Sequence, residues 1–148
     1  MYKHILIPTD GSPLSLKAVK AGARLAKTLK AKVTALYVIP PYQLPTGSEA
    51  IVYAQLISPK QYEADMRKHA DVAIARVKRA VEAEKVGCDG LAVIERTPWE
   101  GIIKVARAKR CDLIVMASHG RRGLAGLLLG SETTKVLTHS KTPVLVCR

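Results

Sequence analysis

Short, almost entirely apolar segments alternate along this chain with longer segments whose apolar residues recur every three or four positions. The short segments have the length and β-branched content of buried strands, and the longer ones have the period of amphipathic helices. The predicted strands are residues 5–7, 33–39, 91–95, 112–117 and 143–147. Because parallel strands need long crossover connections, the alternation predicts an open parallel sheet of five strands with helices on both faces, an α/β fold.

Each predicted helix begins at a capping signal. Ser12 and Ser58 both precede a proline and should start the first two helices, since serine accepts hydrogen bonds from free helix amides and proline fits the first turn. Thr97-Pro98-Trp99-Glu100 predicts a capping box for the third helix, and Ser131 is expected to cap the fourth. Residues 40–57 contain three prolines and are expected to form a long loop.

Length and composition predict one domain spanning residues 1–148. The chain has 148 residues, of which 48% are hydrophobic, enough for one sizeable core. It has no run of eighteen apolar residues and no leader-like start, so a cytoplasmic location without membrane contact is expected. The three cysteines are odd in number and lack C-x-x-C spacing, which favours packing roles over disulfides or a metal site.

The formal net charge of +12 favours polyanionic partners, either a nucleotide, a nucleic acid or an anionic surface. Many of the lysines and arginines fall at helical spacings on predicted solvent faces. The chain has no Phe and five Tyr, so it lacks the interleaved aromatic residues of single-strand and RNA-binding surfaces. Nucleic acid is therefore the partner that the sequence supports least.

The fourth predicted strand runs directly into Ser118-His119-Gly120, and Gly130 precedes the last helix. Glycines let a backbone approach an anion closely, and the first amides of a helix can donate hydrogen bonds to it. Ligands of open parallel sheets bind outside the carboxyl ends of the strands, where the strand order reverses. If the first and fourth strands are neighbours there, Asp10 and the loop between Gly120 and Gly130 face one crevice.

Several side chains of this crevice have two readings. Asp10 could accept hydrogen bonds from a ribose or close an Asx turn, and the sequence supports both equally. Arg121 and Arg122 could reach phosphates or be solvated cations, and His119 could act as acid, base or donor or support the loop. Glu132 would repel a phosphate unless it points away or a divalent cation lies between them.

These segments resemble the universal stress protein A family over essentially the whole chain. The resemblance is carried by residues 5–12 (ILIPTDGS), 112–116 (DLIVM) and 143–146 (PVLV). The ATP-binding branch of that family has the pattern G-x-x-G, nine residues, then G-[ST]. This chain reads Ala117-Ser118-His119-Gly120, nine residues, then Gly130-Ser131, with alanine in place of the first glycine.

The resemblance implies a Rossmann-like fold, similar to the adenine nucleotide alpha hydrolases, with strand order 3-2-1-4-5. It also implies a homodimer in which the last strands pair, and ATP as ligand, alone or with Mg²⁺ or Mn²⁺. The nucleoside would lie at Asp10 and at the backbone of Val38 and Met116, with the phosphates at Gly120, Gly130, Ser131 and the amide of Glu132. The full set of expected nucleotide-binding residues is Pro8, Thr9, Asp10, Val38, Met116, Ala117, His119, Gly120, Arg121, Gly130, Ser131, Glu132 and Thr133.

The leading hypothesis is a cytoplasmic, homodimeric stress-response regulator or sensor that binds ATP. A Walker loop and a G-x-G-x-x-G after the first strand are absent, and no nucleophile, base and orienting residue form a set. Slow ATP hydrolysis or self-phosphorylation stays open, because Ser118, Ser131 and Thr133 would lie near the phosphates. The alternative is a nucleotide-free dimeric interaction module of the same fold, its site made vestigial by Ala117 and Glu132.

Overall fold

The computed structural model describes residues 1–44, 46–47, 52, 56–119 and 129–148. The strands are β1 (His4–Pro8), β2 (Lys32–Ile39), β3 (Cys88–Ile94), β4 (Leu113–Ala117) and β5 (Val144–Cys147). The helices with described bounds are α1 (Pro13–Leu29), α2 (Pro59–Glu82), α3 (Pro98–Ala108) and α4 (Ser131–His139). Val52 and Leu56 also have helical backbone, so residues 40–57 are not wholly the loop that was expected.

All five strands are parallel and form one sheet in the order β3-β2-β1-β4-β5, which confirms the predicted fold and strand order. β1 is the central strand: its Ile5 pairs with Val33 of β2 on one side and with Leu113 of β4 on the other. The chain adds β2 and β3 on one side of β1 and then returns to add β4 and β5 on the other. This reversal opens a crevice between the carboxyl ends of β1 and β4.

Successive residues of each strand point to opposite faces, and each face carries its own hydrophobic cluster. Ile5 and Ile7 belong to the cluster that packs beneath α1 and α2. Leu6 and Ile114 belong to the cluster beneath α3 and α4. These four side chains are fully buried, and burying each contributes about 1.5–3 kcal/mol to folding. The near-continuous apolar character of the strands reflects burial on both faces.

β3 begins three residues earlier than the sequence predicts. Gly87-Cys88-Asp89-Gly90 reads as a turn, but Cys88 already pairs with Val33 and Gly90 pairs with Ala35. The glycine serves close packing here, because a Cβ at Gly90 would collide with Ile74 of α2. A glycine inside a strand therefore marks a close helix contact in this chain, not a break.

The first two predicted helix caps are confirmed and the other two are wrong. Ser12 Oγ accepts from the amide of Ser15 at 3.2 Å, and Ser58 Oγ accepts from that of Gln61 at 3.1 Å. Thr97 precedes α3 but makes no side-chain cap, so the capping box does not form. Gly130, not Ser131, is the N-cap of α4, since its φ of −71° and ψ of 156° are extended while Ser131 is already helical.

The three cysteines pack against the hydrophobic clusters, and Cys111 is buried while Cys88 and Cys147 are half-buried. Cys88, Cys111 and Cys147 are all free thiols. Burial raises the pKa of both Cys88 and Cys111 to about 11, so neither is a reactive thiolate at neutral pH. In the part of the chain that the structure describes, no helix combines the length and apolar character needed to cross a bilayer.

Candidate functional site

A cavity of about 440 Å³ opens at the carboxyl ends of β1, β2 and β4. This volume falls in the range of small-molecule sites, about 300–1,000 Å³. Of the thirteen expected binding residues, Gly120 and Arg121 lie outside the described residues. The other eleven all line this cavity: Pro8, Thr9, Asp10, Val38, Met116, Ala117, His119, Gly130, Ser131, Glu132 and Thr133.

Seven further residues line the cavity and were not expected from the sequence. They come from the ends of β2 and β3 and from α3, and they are Leu36, Tyr37, Pro40, Glu95, Arg96, Pro98 and Ile102. Glu95 and Arg96 directly follow β3. Because the carboxyl ends of parallel strands meet at one edge of the sheet, their place in the cavity lining could have been predicted from the sequence. Ile102 of α3 could not be found this way, because its contact depends on how α3 packs across the sheet.

The cavity has an apolar part and a polar part. Leu36, Val38, Ile102 and Met116 supply apolar side chains and lie in or beside the cluster beneath α3 and α4. Most polar residues of the lining follow β1, β3 and β4 or form the first turn of α4. Such a division suits a ligand with a flat apolar group at one end and an anionic group at the other.

The turn after β1 places Asp10 at the rim. The amide of Thr9 donates to the carbonyl of Leu36 at 2.8 Å, which extends the pairing of β1 and β2 by one residue. Asp10 Oδ1 then accepts from the amide of Ser12 at 2.9 Å, so the Asx turn considered for this residue is present. Gly11 between them has a φ of 77°, a conformation that glycine adopts without a Cβ penalty. The carboxylate closes the turn and also lines the cavity.

The end of β4 fixes the beginning of α4. The amide of Gly130 donates to the carbonyl of Ser118 at 2.7 Å, and Thr133 Oγ1 donates to the carbonyl of Ala117 at 3.0 Å. The amide of Ser118 donates to the carbonyl of Cys147 at 2.7 Å, so β5 supports the same corner. Ala117 is a paired strand residue with extended backbone, so this position does not require the left-handed conformations of glycine.

His119 presents an imidazole at the cavity wall. Its Nδ1 lies 3.0 Å from Ser118 Oγ, which holds the ring in place. Its Nε2 is buried and has no hydrogen-bond partner within the described chain. Because buried polar atoms nearly always have a partner, this nitrogen marks a position where a ligand atom or a water would be stabilised.

The first turn of α4 faces the cavity without a side-chain cap. In α1 and α2 a serine oxygen accepts a hydrogen bond from the first turn, but Gly130 offers no side-chain acceptor. Within α4 the first backbone bond is from the amide of Thr134 to the carbonyl of Gly130, at 3.0 Å. The amides of Ser131, Glu132 and Thr133 therefore lie at the end of the helix where anions are stabilised.

Glu132 extends from this turn to the next helix. Its Oε2 accepts from the amide of Trp99 at 2.9 Å, and its Oε1 lies 3.5 Å from Lys135 Nζ. This contact explains the failed capping box, because a carboxylate from α4 satisfies a first-turn amide of α3 in place of Thr97. The Trp99 ring packs against that of His139, with centroids 4.9 Å apart, so α3 and α4 are joined at two points.

No cluster of three or more His, Cys, Asp or Glu occurs among the residues that the structure describes. The carboxylates of the cavity belong to Asp10, Glu95 and Glu132, and Glu95 is already paired with Lys104 at 2.7 Å. Protein sites for Mg²⁺ commonly use one or two carboxylates together with phosphates of the substrate. Asp10 and Glu132 line the same cavity, and Glu132 is bonded to the amide of Trp99 and paired with Lys135, so a cation here would depend on phosphates for most of its ligands.

The fold and the cavity define an α/β protein with a small-molecule site at the switch point of its sheet. The sequence profile of the Universal stress protein family matches residues 1–148, and the chain belongs to that family. Universal stress protein MJ0531 of Methanocaldococcus jannaschii is 34% identical over 151 residues, which cover 100% of this chain and 83% of that protein. Universal stress protein YxiE of Bacillus subtilis is 30% identical, covering 100% of both.

Solved structures of family members have the same fold. Protein MJ0577, from M. jannaschii, superimposes with a TM-score of 0.81 at 32% identity, covering 99% of this chain and 95% of that one. UspA from Lactobacillus plantarum gives 0.80 at 26% identity, covering 99% and 98%. Two more distant members, at 24% and 17% identity, share the fold and were solved in complex with cAMP and dAMP respectively.

Proposed function

We propose that this universal stress protein binds ATP in the cavity at the carboxyl ends of β1 and β4. We propose further that it acts as a cytoplasmic, homodimeric stress-response regulator or sensor. The observation that carries the nucleotide assignment is the convergence of eleven expected binding residues, from four separate segments of the chain, on one cavity.

The apolar part of the cavity suits the adenine base. Val38 of β2 and Met116 of β4 lie on opposite sides of β1, and Ile102 of α3 also lines the cavity. A purine inserted there would replace water against apolar side chains, which favours binding. Asp10, at the rim, is positioned to accept from ribose hydroxyls while it keeps its bond to the amide of Ser12.

The first turn of α4 suits the phosphates. Its amides and the partial positive charge of the helix stabilise an anion, and His119 Nε2 can add a donor if Nδ1 accepts from Ser118. Gly120 and Arg121, expected to contribute to the same site, lie outside the described residues. Ala117 adds one methyl group on an extended backbone, which leaves the cavity in place.

Adenine nucleotides bind to this fold in other members, since cAMP and dAMP complexes were solved for proteins 24% and 17% identical to this chain. At those identities the likeness concerns the fold. The proposal for this chain rests on its own cavity and on the residues that line it.

The hydroxyl groups near the expected phosphates favour binding over fast turnover. Ser118 is buried, with its Oγ beside His119 Nδ1, and the hydroxyl of Thr133 is donated to the carbonyl of Ala117. Ser131 is exposed at the start of α4. A fast hydrolase needs an oriented nucleophile and base, and these contacts commit the oxygens of Ser118 and Thr133 to partners within the fold.

Equilibrium binding of labelled ATP to the purified protein, with Mg²⁺ present, tests the nucleotide assignment. We expect saturable binding that Val38→Arg abolishes, because an arginine there would fill the apolar part of the cavity. Val72→Arg is the matched control, since Val72 is 54% exposed on α2, away from the cavity. Absence of saturable binding at millimolar ATP, in a protein that is still folded, would instead support the nucleotide-free interaction module.

The homodimer is assigned to β5. This strand pairs with β4 on one side and ends the sheet on the other, and its Leu145 is 42% exposed. An apolar edge strand left unpaired is an aggregation hazard, which pairing with a second copy removes. Light scattering during gel filtration should give the mass of a dimer. Leu145→Lys should shift it to a monomer and Val72→Lys should not, and an unchanged dimer in Leu145→Lys would place the interface elsewhere.

A further inference from the structure

We propose that Glu132 selects nucleotides by the charge of their phosphate tail. In this assignment ATP binds as its complex with a divalent cation, and the uncomplexed triphosphate is excluded. The inference rests on the proposed nucleotide site and concerns which ionic form of the ligand that site accepts.

The side chain of Glu132 carries a negative charge at the start of α4. Glu132 is the second residue of α4 and lines the cavity, so its charge lies beside the amides that would hold the phosphates. A helix N-terminus provides a positive charge of about one half of an electron charge. The amides of this turn can still donate to phosphates, but a full carboxylate charge in the same turn opposes the partial charge of the helix and repels a phosphate tail that carries no cation.

A hydrogen bond to α3 favours this position of the carboxylate. Glu132 Oε2 accepts from the amide of Trp99 at 2.9 Å, and this bond supplies the first turn of α3 with the acceptor that Thr97 fails to provide. Movement of Glu132 away from an incoming phosphate would leave that amide without its acceptor. The repulsion therefore persists when the ligand arrives.

Lys135 Nζ lies 3.5 Å from Glu132 Oε1, and both side chains are substantially exposed, at 47% and 37%, so water and salt screen this pair. The same screening reduces the repulsion between Glu132 and a phosphate tail, but that tail carries several charges where the lysine carries one. Arg96 also lines the cavity, and its charge is the same in the original protein and in Glu132→Gln. A divalent cation carried by the triphosphate would face Glu132 directly and convert repulsion into attraction. Mg²⁺ held by phosphates and one carboxylate is a common arrangement.

The test compares dissociation constants for ATP in EDTA, ATP with Mg²⁺, and adenosine, in the original protein and in Glu132→Gln. Glutamine keeps an oxygen that can accept from the amide of Trp99, so the substitution removes the charge and retains the helix contact. Glu100→Gln is the matched control, because it removes one carboxylate from the first turn of α3 and does not line the cavity. The fluorescence of Trp99, the single tryptophan, reports whether the start of α3 is preserved.

We expect Mg²⁺ to tighten ATP binding to the original protein by about tenfold or more, and Glu132→Gln to tighten the binding of metal-free ATP by about tenfold. The affinity for adenosine should change by less than about twofold, because adenosine has no phosphate charge. Glu100→Gln should behave as the original protein.

The charge selection is overturned if Glu132→Gln leaves the ratio of metal-free ATP affinity to adenosine affinity unchanged. It is also overturned if Glu100→Gln changes that ratio equally, since the effect would then come from total charge. If adenosine and ATP both fail to bind either protein, the nucleotide site itself is wrong and the inference fails with it. The two failures are distinguishable because adenosine binding reports the site without its charge.

Discussion

The two ends of the central strand β1 are built on opposite principles. At its amino end, Asp112 accepts from the amides of Lys3 and His4 at 2.8 and 2.9 Å. The His4 imidazole Nε2 lies 2.8 Å from Thr34 Oγ1, and His4 is almost fully buried. Polar groups at this end bond to one another, and the arrangement closes the sheet.

At the carboxyl end, the same strands lead into a cavity. The first turn of α4 has no side-chain cap, and His119 Nε2 is buried without a partner in the described chain. At the amino end the polar groups bond to one another. At the carboxyl end the corresponding groups face a cavity of about 440 Å³. The polar groups at the amino end therefore contribute to stability, whereas those at the carboxyl end face the proposed ligand site.

Asp112→Ala tests the amino end and has the largest expected effect. Burial works to raise the pKa of Asp112, but hydrogen bonds from the amides of His4 and Lys3 outweigh it, so its pKa lies below the ordinary value. Removing both acceptors should lower the free energy of unfolding by about 2 kcal/mol, measured by urea denaturation. The affinity for ATP should change by less than about twofold, because the substitution lies at the far end of the sheet.

Asp71→Ala is the control for Asp112→Ala, since Asp71 is exposed on α2 and its loss should cost less than about 0.5 kcal/mol. A tenfold loss of ATP affinity in Asp112→Ala would contradict the separation of the two ends, because it would show the amino end to be coupled to the cavity.

Gly130→Ala tests the carboxyl end. A Cβ at Gly130 would lie 3.2 Å from the carbonyl oxygen of Ser118 and 3.4 Å from Cα of His119, so the start of α4 must move. We expect ATP affinity to fall by about tenfold, since the amides of this turn would shift from the phosphates. Gly87→Ala is the matched control, because no atom lies within 4 Å of its added Cβ. Equal ATP affinities of Gly130→Ala and Gly87→Ala would show that the start of α4 does not contribute to ATP binding.

The sequence predicted the sheet because its signals are local and strong. Five apolar segments separated by helical patterns allow few topologies, and the family resemblance supplied the order that the structure has. The boundaries of β3 were missed because Gly90 reads as a turn until Ile74 is placed above it, and this contact joins residues distant in sequence. Propensity describes neighbours along the chain, and packing overrides it where distant residues meet.

Some residues of the candidate site could be predicted from the sequence and others could not. The residues that directly follow strands, such as Asp10 and His119, were predicted because parallel strands end at one edge. The roles of Thr97 and Glu132 were not predicted. The capping box is a local pattern, but the amide of Trp99 in α3 donates to Glu132, which belongs to α4. A sequence pattern identifies hydrogen-bond partners that are close along the chain. It does not identify distant residues that folding brings close enough to replace them.

The pH dependence of stability tests the closure of the amino end. Burial lowers the pKa of His4, and the charge of Lys32 adds to the effect. The folded protein therefore disfavours protonated His4, so this stability is complete above the unfolded pKa of about 6.5 and is lost as the pH falls below it. The slope should not exceed about 1.4 kcal/mol per pH unit.

The contribution of His4 is isolated by comparing urea denaturation of the original protein and His4→Gln between pH 7.5 and pH 5. Glutamine keeps a donor for Thr34 and has no titrating group, so the difference between the two free energies should shrink with acid. A difference that is constant with pH would show that His4 does not control this dependence.

Thr97→Val has the smallest expected effect and tests whether α3 is capped from a distance. Thr97 Oγ1 is buried and makes no hydrogen bond in the described chain, so valine should leave the free energy of unfolding unchanged or raise it by about 0.5 kcal/mol. A true capping threonine would cost about 1 kcal/mol, as Ser12→Ala should at α1, where the side chain does accept from the amide of Ser15. A loss in Thr97→Val equal to that in Ser12→Ala would return the cap to Thr97 and remove the structural reason for Glu132 to remain beside the phosphates.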